Sequence, residues 1–166
     1  MLSYKDFIVY FGCQLNASDF QSFLVEIFND LTSYDITESD YIVSEVMGIE
    51  LGFTNKSAIY DDDDRVIFEK GDPIFSHFTA YPKSSAQFTK WPFNISFDDR
   101  RDNVFQKAGI PAQTNEGYAD FLKRNFLVDS YKIDDVIFTV DYNPDSNTIN
   151  FMQMRGNSLM EHLTLK

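Results

Sequence analysis

Apolar residues recur at helical spacing near the start of the chain and change to strict alternation after about residue 41. In SDFQSFLVEIFNDL, residues Phe20, Phe23, Leu24, Ile27, Phe28 and Leu31 fall on one face at the i, i+3, i+4, i+7 positions. Ser18 stands before them with Gln21 three residues later, a capping-box arrangement, so the spacing predicts a helix that buries this face in the core. Residues 3–13, SYKDFIVYFGC, predict a shorter helix capped by Ser3, with Phe7, Ile8 and Phe11 on its apolar side.

Alternation then takes over. IELGFT puts Ile49, Leu51 and Phe53 on one side, IFSHFTAY alternates over 74–81, and VIFTVDYN–PDSN–TINFMQM reads as a hairpin with a polar turn. SAIY and RVIFEK predict the arms of another hairpin, around the tip Asp61, Asp62, Asp63 and Asp64. Residues 82–92 predict a loop and FNISF a short strand. DDRRDNVFQKAGIP predicts a helix opened by aspartate and stopped by Gly109 and Pro111. Residues 112–118 predict a loop, YADFLKRNF a further helical turn, and SLMEHLTL a short terminal helix. Helices first, then strands with one inserted helix, predict a single α+β domain: an N-terminal helical part over 1–33 packed on a mostly antiparallel sheet over 41–154.

Composition sharpens this reading. The 166 residues include 17 Phe and 9 Tyr, an aromatic share of 16% that favours the pleated surfaces of sheets. The lone Cys13 cannot close an internal disulfide, so packing must hold the fold, and a reducing compartment is expected. MLSYKDFIVYFGCQL lacks the form of a signal peptide, and no run approaches the roughly 20 apolar residues that span a bilayer. A cytoplasmic location follows as the expectation. Fourteen Lys and Arg against 26 Asp and Glu give a net charge of −12. Such a surface repels phosphate backbones and anionic lipid, disfavouring nucleic acid and membrane as partners, and speeds encounter with a basic protein.

The motifs for chemistry are thin. Asp141, Asn143, Asp145 and Asn147 match the odd positions of a calcium loop, but Ser146 and Met152 stand where its glycine and bidentate glutamate belong. His77 and His162 come without HExxH or CxxC, and no nucleophile elbow or phosphate-binding glycine loop is present. No metal, cofactor or catalytic residue is therefore expected. A carboxylate-using hydrolase remains an alternative, which a deep pocket holding two carboxylates with raised pKa would favour. An acidic nucleic-acid mimic is another, marked by acids spaced along an elongated surface.

The aspartate tetrad satisfies either a solvated turn or an electrostatic contact with a partner's Lys and Arg. Asp98, Asp99 and Glu116 extend such a face if the hairpin and the helix at 98 lie together, with Tyr60 and Tyr81 as aromatic anchors. Asp98 and Asp99 also suit a helix start, where the dipole favours acids.

From about residue 48 to 154, the succession GIELGF, acidic hairpin, FTAY, WPFNISFDDRRDNVFQKAGIP and IDDVIFTVDYNPDSNTINFMQM resembles small bacterial immunity proteins of polymorphic or contact-dependent toxin systems. At WPFN it departs from the Leu-Pro-x-Gly of that pattern, with Asn94 in the glycine's place. The resemblance implies an inhibitor that binds and neutralises a cognate toxin domain, with contact residues that do not carry over from one member to another.

Overall fold

The structure, a computed structural model, describes residues 2–28, 41–54, 73–86, 88–159 and 164–165. Its elements are β1 (Leu2–Ser3), α1 (Tyr4–Ile8), α2 (Ser18–Ile27), β2 (Tyr41–Ser44), β3 (Ile49–Thr54), β4 (Ile74–Ala80), β5 (Phe88–Lys90), α3 (Arg101–Ala108), β6 (Gln113–Ala119), β7 (Arg124–Ile133), β8 (Val136–Tyr142) and β9 (Ile149–Gly156). Seven strands form one sheet in the order β2-β3-β4-β9-β8-β7-β6, every neighbour antiparallel. A small parallel pairing joins β1 to β5. This is an α+β architecture, with the helices on one face of an antiparallel sheet.

An aromatic layer holds helices to sheet. Phe7 of α1 stacks on Phe78 of β4 at 4.6 Å, and Phe20 of α2 stacks on Phe75 at 5.0 Å. The layer continues from Phe78 to Trp91, from Trp91 to Phe138 of β8, and from Phe138 to Tyr131 of β7. Phe7, Phe20, Phe75, Phe78 and Phe138 are wholly buried. Each such side chain contributes roughly 2–3 kcal/mol of transfer free energy, and offset or edge-on ring pairs add to it.

The alternating segments 49–54, 74–80, 136–142 and 149–156 are strands, as expected, and the helical spacing at 18–27 is a helix. Several boundaries differ. Ala17, not Ser18, is the N-cap of α2, and Gln21 Nε2 instead donates to the Leu15 carbonyl at 2.6 Å. α1 starts after Ser3, which caps it in a capping box with Asp6, but is only five residues, because the chain leaves the helix at Val9 for turns that end at Gly12, φ 86°. FNISF is a turn, not a strand. Pro92–Asn94 form a tight helical turn in which Phe93 and Asn94 take positive φ of 57° and 56°, so the chain reverses before it can align beside a neighbour. Residues 112–118, expected as a loop, are mostly β6, and the helical turn expected at YADFLKRNF is the β6–β7 hairpin. Seven cross-strand pairs with β7 override the weak helical spacing there. The expected hairpin around the tetrad lies outside the described residues, as does half of the expected terminal helix, 160–163; 157–159 form a single tight helical turn.

The opposite face of the sheet is laced with buried polar groups. Ser76 and His77 together oppose Gly52 at a β-bulge. The Ser76 hydroxyl donates to the Gly52 carbonyl at 3.2 Å, so it accepts from His77 Nδ1 at 2.8 Å, which fixes the imidazole tautomer. The ring lies where a Cβ on residue 52 would stand, 2.0 Å from its nearest atom, and only glycine fits. Burial, reinforced by the positive charge of Arg155, lowers the His77 pKa from 6.5 to about 4.

That shift gives stability a pH dependence. Between 6.5 and about 4 the unfolded chain takes up a proton that the folded imidazole refuses, so this stability is present at neutral pH and lost as the pH falls. The loss amounts to about 3 kcal/mol across the window. Urea unfolding at pH 7 and pH 4.5 should show a His77→Gln variant losing less stability on acidification than the parent. Equal losses in the two proteins would refute the assignment.

Candidate functional site

The sheet ends at β6, and α3 is fastened beside it by one buried ion pair. The Asp129 carboxylate, its side chain fully buried on β7, accepts from Arg101 Nε at 2.8 Å and from a second guanidinium nitrogen at 2.9 Å. The Thr114 hydroxyl of β6 donates to the same carboxylate at 2.6 Å. One acidic group thereby ties α3, β6 and β7 together, and bidentate geometry fixes the orientation of the guanidinium. The Asp129 hydrogen bonds raise the Arg101 pKa above its ordinary value, with the charges of Asp129 and Glu116 acting in the same direction. The guanidinium also lies over the Phe105 ring at 4.8 Å. Val104, wholly buried, supplies the apolar contact of α3, and Asn103 Oδ1 accepts from the Arg100 amide to close the first turn.

Beside this clamp stand two phenols, Tyr131 and Tyr142, buried with no hydrogen-bond partner for either hydroxyl among the described residues. Burial pushes both pKa values far above the ordinary value of 10. The carboxylate, held on both oxygens, ties α3 to β6 and β7, and both phenols stay neutral at neutral pH.

What α3 and β6 present outward is apolar. Among the described residues twelve large hydrophobics are exposed, and half of them, Phe93, Phe105, Ile110, Tyr118, Phe121 and Leu122, lie in the stretch that leads into α3 and out through the β6–β7 turn. Ile110 is 94% and Phe121 86% exposed. Carboxylates of Asp98, Asp102, Glu116 and Asp120 are interspersed along the same stretch.

The residues expected to bind a partner separate into three groups. Tyr60 and Asp61 to Asp64 lie outside the described residues. Asp98, Asp99 and Glu116 are gathered around α3: the first two lie just before its N-terminus, and Glu116, exposed on β6, is close enough to act electrostatically on Arg101. Of these, Asp99 is engaged internally, accepting from the Ser96 amide at 2.8 Å and from Lys107 Nζ at 2.6 Å. Tyr81 sits at the end of β4, on the sheet face opposite α3, near Phe151 and hydrogen-bonded to Glu50; burial and that carboxylate raise its pKa.

The polar turn at 143–148 resolves the calcium-loop pattern. Asn143 Oδ1 accepts from the amides of Asp145 and Ser146, and Asp141 is a strand residue whose carboxylate accepts from Asn150 at 2.8 Å. Among the described residues no group of three or more His, Cys, Asp or Glu side chains is placed to hold a metal ion. A cleft of about 340 Å³ between the β6–β7 and β8–β9 turns is lined by Tyr118, Lys123, Arg124, Asp141 and Asn150 among others. Burial raises the Asp141 pKa, while the Asn150 hydrogen bond and the Arg124 charge oppose the shift. Asp145 lines the same cleft, so two carboxylates face it, that of Asp141 held by Asn150.

Compared with known proteins, the chain matches no family model, no curated protein and no solved structure.

The clamp makes a direct prediction. Arg101→Met leaves the Asp129 carboxylate buried with Thr114 alone and should cost about 3 kcal/mol, whereas Arg101→Met with Asp129→Leu removes both charges and should recover most of that loss. A double-mutant cycle read by chemical denaturation measures the coupling. Additive effects of the two substitutions would show that the pair does not fasten α3.

Proposed function

We propose that the chain is a non-catalytic binding module, and specifically a cytoplasmic immunity protein that sequesters a bacterial toxin domain with a basic surface. The observation that carries this reading is the concentration of exposed large hydrophobics around α3 and the β6–β7 turn, with carboxylates set among them. Protein interfaces place aromatic and aliphatic anchors at the centre and charges at the rim, and that is the mixture found here. The net charge of −12 suits a basic partner and disfavours phosphate-bearing ones. The resemblance to immunity proteins names the class of partner. Its one departure has a backbone explanation: Asn94 takes a left-handed conformation, φ 56°, that glycine adopts freely and asparagine tolerates.

Inhibition of this kind works by occlusion. A toxin that attacks nucleic acid carries positive charge where it grips phosphate, so an acidic inhibitor competes for the same surface. Electrostatics then accelerates encounter, and the apolar anchors set the lifetime of the complex.

The test is capture of the inactivated product of the adjacent upstream gene by the full chain, together with growth rescue when the active product is expressed. Phe121→Ala and Ile110→Ala should each weaken binding roughly tenfold or more. Because both side chains are exposed, neither substitution should change folding stability by more than about 0.5 kcal/mol. A chain that neither binds nor protects against that product refutes the immunity reading. Unaltered affinity in both variants would move the interface elsewhere on the molecule.

A further inference from the structure

β6 is a terminal strand of the sheet, paired with β7 through all seven of its residues in unbroken register. Among the described residues its other edge meets no strand in the sheet order, and six of its seven residues are exposed. Sheet edges are ordinarily blunted by proline, lysine, a bulge or shortness, since a free ladder of N–H and C=O groups recruits other strands. The sequence QTNEGYA has neither proline nor lysine, the pairing has no bulge, and the strand is longer than the four-residue β2 at the other end of the sheet. Gly117, extended opposite Phe126 of β7, leaves room for its ring, which lies 3.2 Å from where a Cβ would be. Exposed Ile110 lies before β6, and exposed Phe121 and Leu122 lie after it.

The geometry points to strand addition: β6 accepts an extended segment of the basic toxin domain as an eighth strand, with main-chain hydrogen bonds to the free edge and apolar contacts at both ends of β6. This deepens the binding-module reading and rests on it. The charge distribution selects the occupant. Glu116 is the one charged side chain on β6, and it favours Lys or Arg on the incoming strand, opposite or diagonal to it. A second copy of this chain, itself at −12, would bring another Glu116 to the same edge. Main-chain bonds supply affinity in such additions, while side chains on alternate positions supply discrimination.

Adjacent residues of a strand direct their N–H groups to opposite sides, so one of Asn115→Pro and Glu116→Pro removes a bond to β7 and the other removes an outward donor. The variant that keeps the parent's melting temperature is the outward one. It should bind the inactivated upstream-gene product about tenfold more weakly or worse. Glu116→Gln, measured alongside, separates loss of the charge from loss of the N–H. Hydrogen exchange on the parent complex supplies a second reading that needs no variant: outward-facing amides within 113–119 should gain protection on binding. Strand addition is overturned if those amides exchange as in the free chain, or if the melting-neutral proline variant binds like the parent, and in either case the binding-module reading stands. If the parent does not bind the product at all, both fall together. A dimer of the free chain that the same proline variant abolishes would make the occupant a second copy and overturn the proposal.

Discussion

The layer of stacked rings between the helices and the sheet is what the rest of the structure depends on. With one cysteine, the chain has no internal covalent staple, so the entropy of ordering it is offset chiefly by burial. Phe7, Phe78, Trp91, Phe138 and Tyr131 form a continuous run of ring contacts from α1 across β4 and β8 to β7. A second group, Tyr10, Phe20, Phe23, Phe53 and Phe75, seats α2 over β3 and β4. The layer stops at β7. Beyond it α3 is held by Val104 and by the Arg101–Asp129 pair, and β6 has no ring of its own in the core. The molecule therefore has a densely packed end and a clamped end, and its exposed apolar residues concentrate at the clamped one.

Charge and grip reside on largely different residues. The described residues include fifteen carboxylates against ten Lys and Arg, a balance of −5, which leaves −7 of the net −12 to residues outside that description, the aspartate tetrad among them. The surface around α3 is not strongly acidic, since Arg100, Arg101, Lys107, Lys123 and Arg124 stand beside its carboxylates. A long-range field accelerates encounter and is screened by salt, whereas desolvated apolar contacts set the dissociation rate. If the chain binds as proposed, neutralising the tetrad would change the salt dependence of association and leave the complex's lifetime with residues such as Ile110 and Phe121.

How much of this the sequence discloses depends on whether a pattern is local. The α2 stripe and the strands β3, β4, β8 and β9 are legible because one face of each is core, and burial imposes a period of 3.6 or 2 on the residues. β6 is not legible: its side chains are mostly exposed, so nothing selects an alternation, and it exists because β7 pairs with it. Phe121 and Leu122, adjacent in ADFLKR, look like part of a helical face and are instead the exposed tip of a hairpin. The Arg101–Asp129–Thr114 clamp leaves no trace in spacing, its ion pair joining residues 28 positions apart. The gathering of Asp98 and Glu116 about α3 is partly legible, through the helix start, but their nearness depends on β6 lying beside α3.

Sequences that specify one structure satisfy local rules nearly everywhere and break them where function demands it. From residue 124 to 156 the chain runs as three long strands joined by short turns. Between residues 93 and 122 the departures accumulate. Phe93 holds a left-handed backbone that costs a bulky residue energy, large apolar side chains face solvent, and among the described residues no strand pairs with the outer edge of seven-residue β6. None of these helps the free molecule fold, and the last two invite association. A docked partner strand with apolar contacts at its ends would cover both. The departures also sit where the aromatic layer is absent, so this region can adapt to a partner without disturbing the packing of α1 and α2 on the sheet. Packing stabilises one end of the sheet, and on the proposed reading recognition falls to the end that packing leaves unfinished.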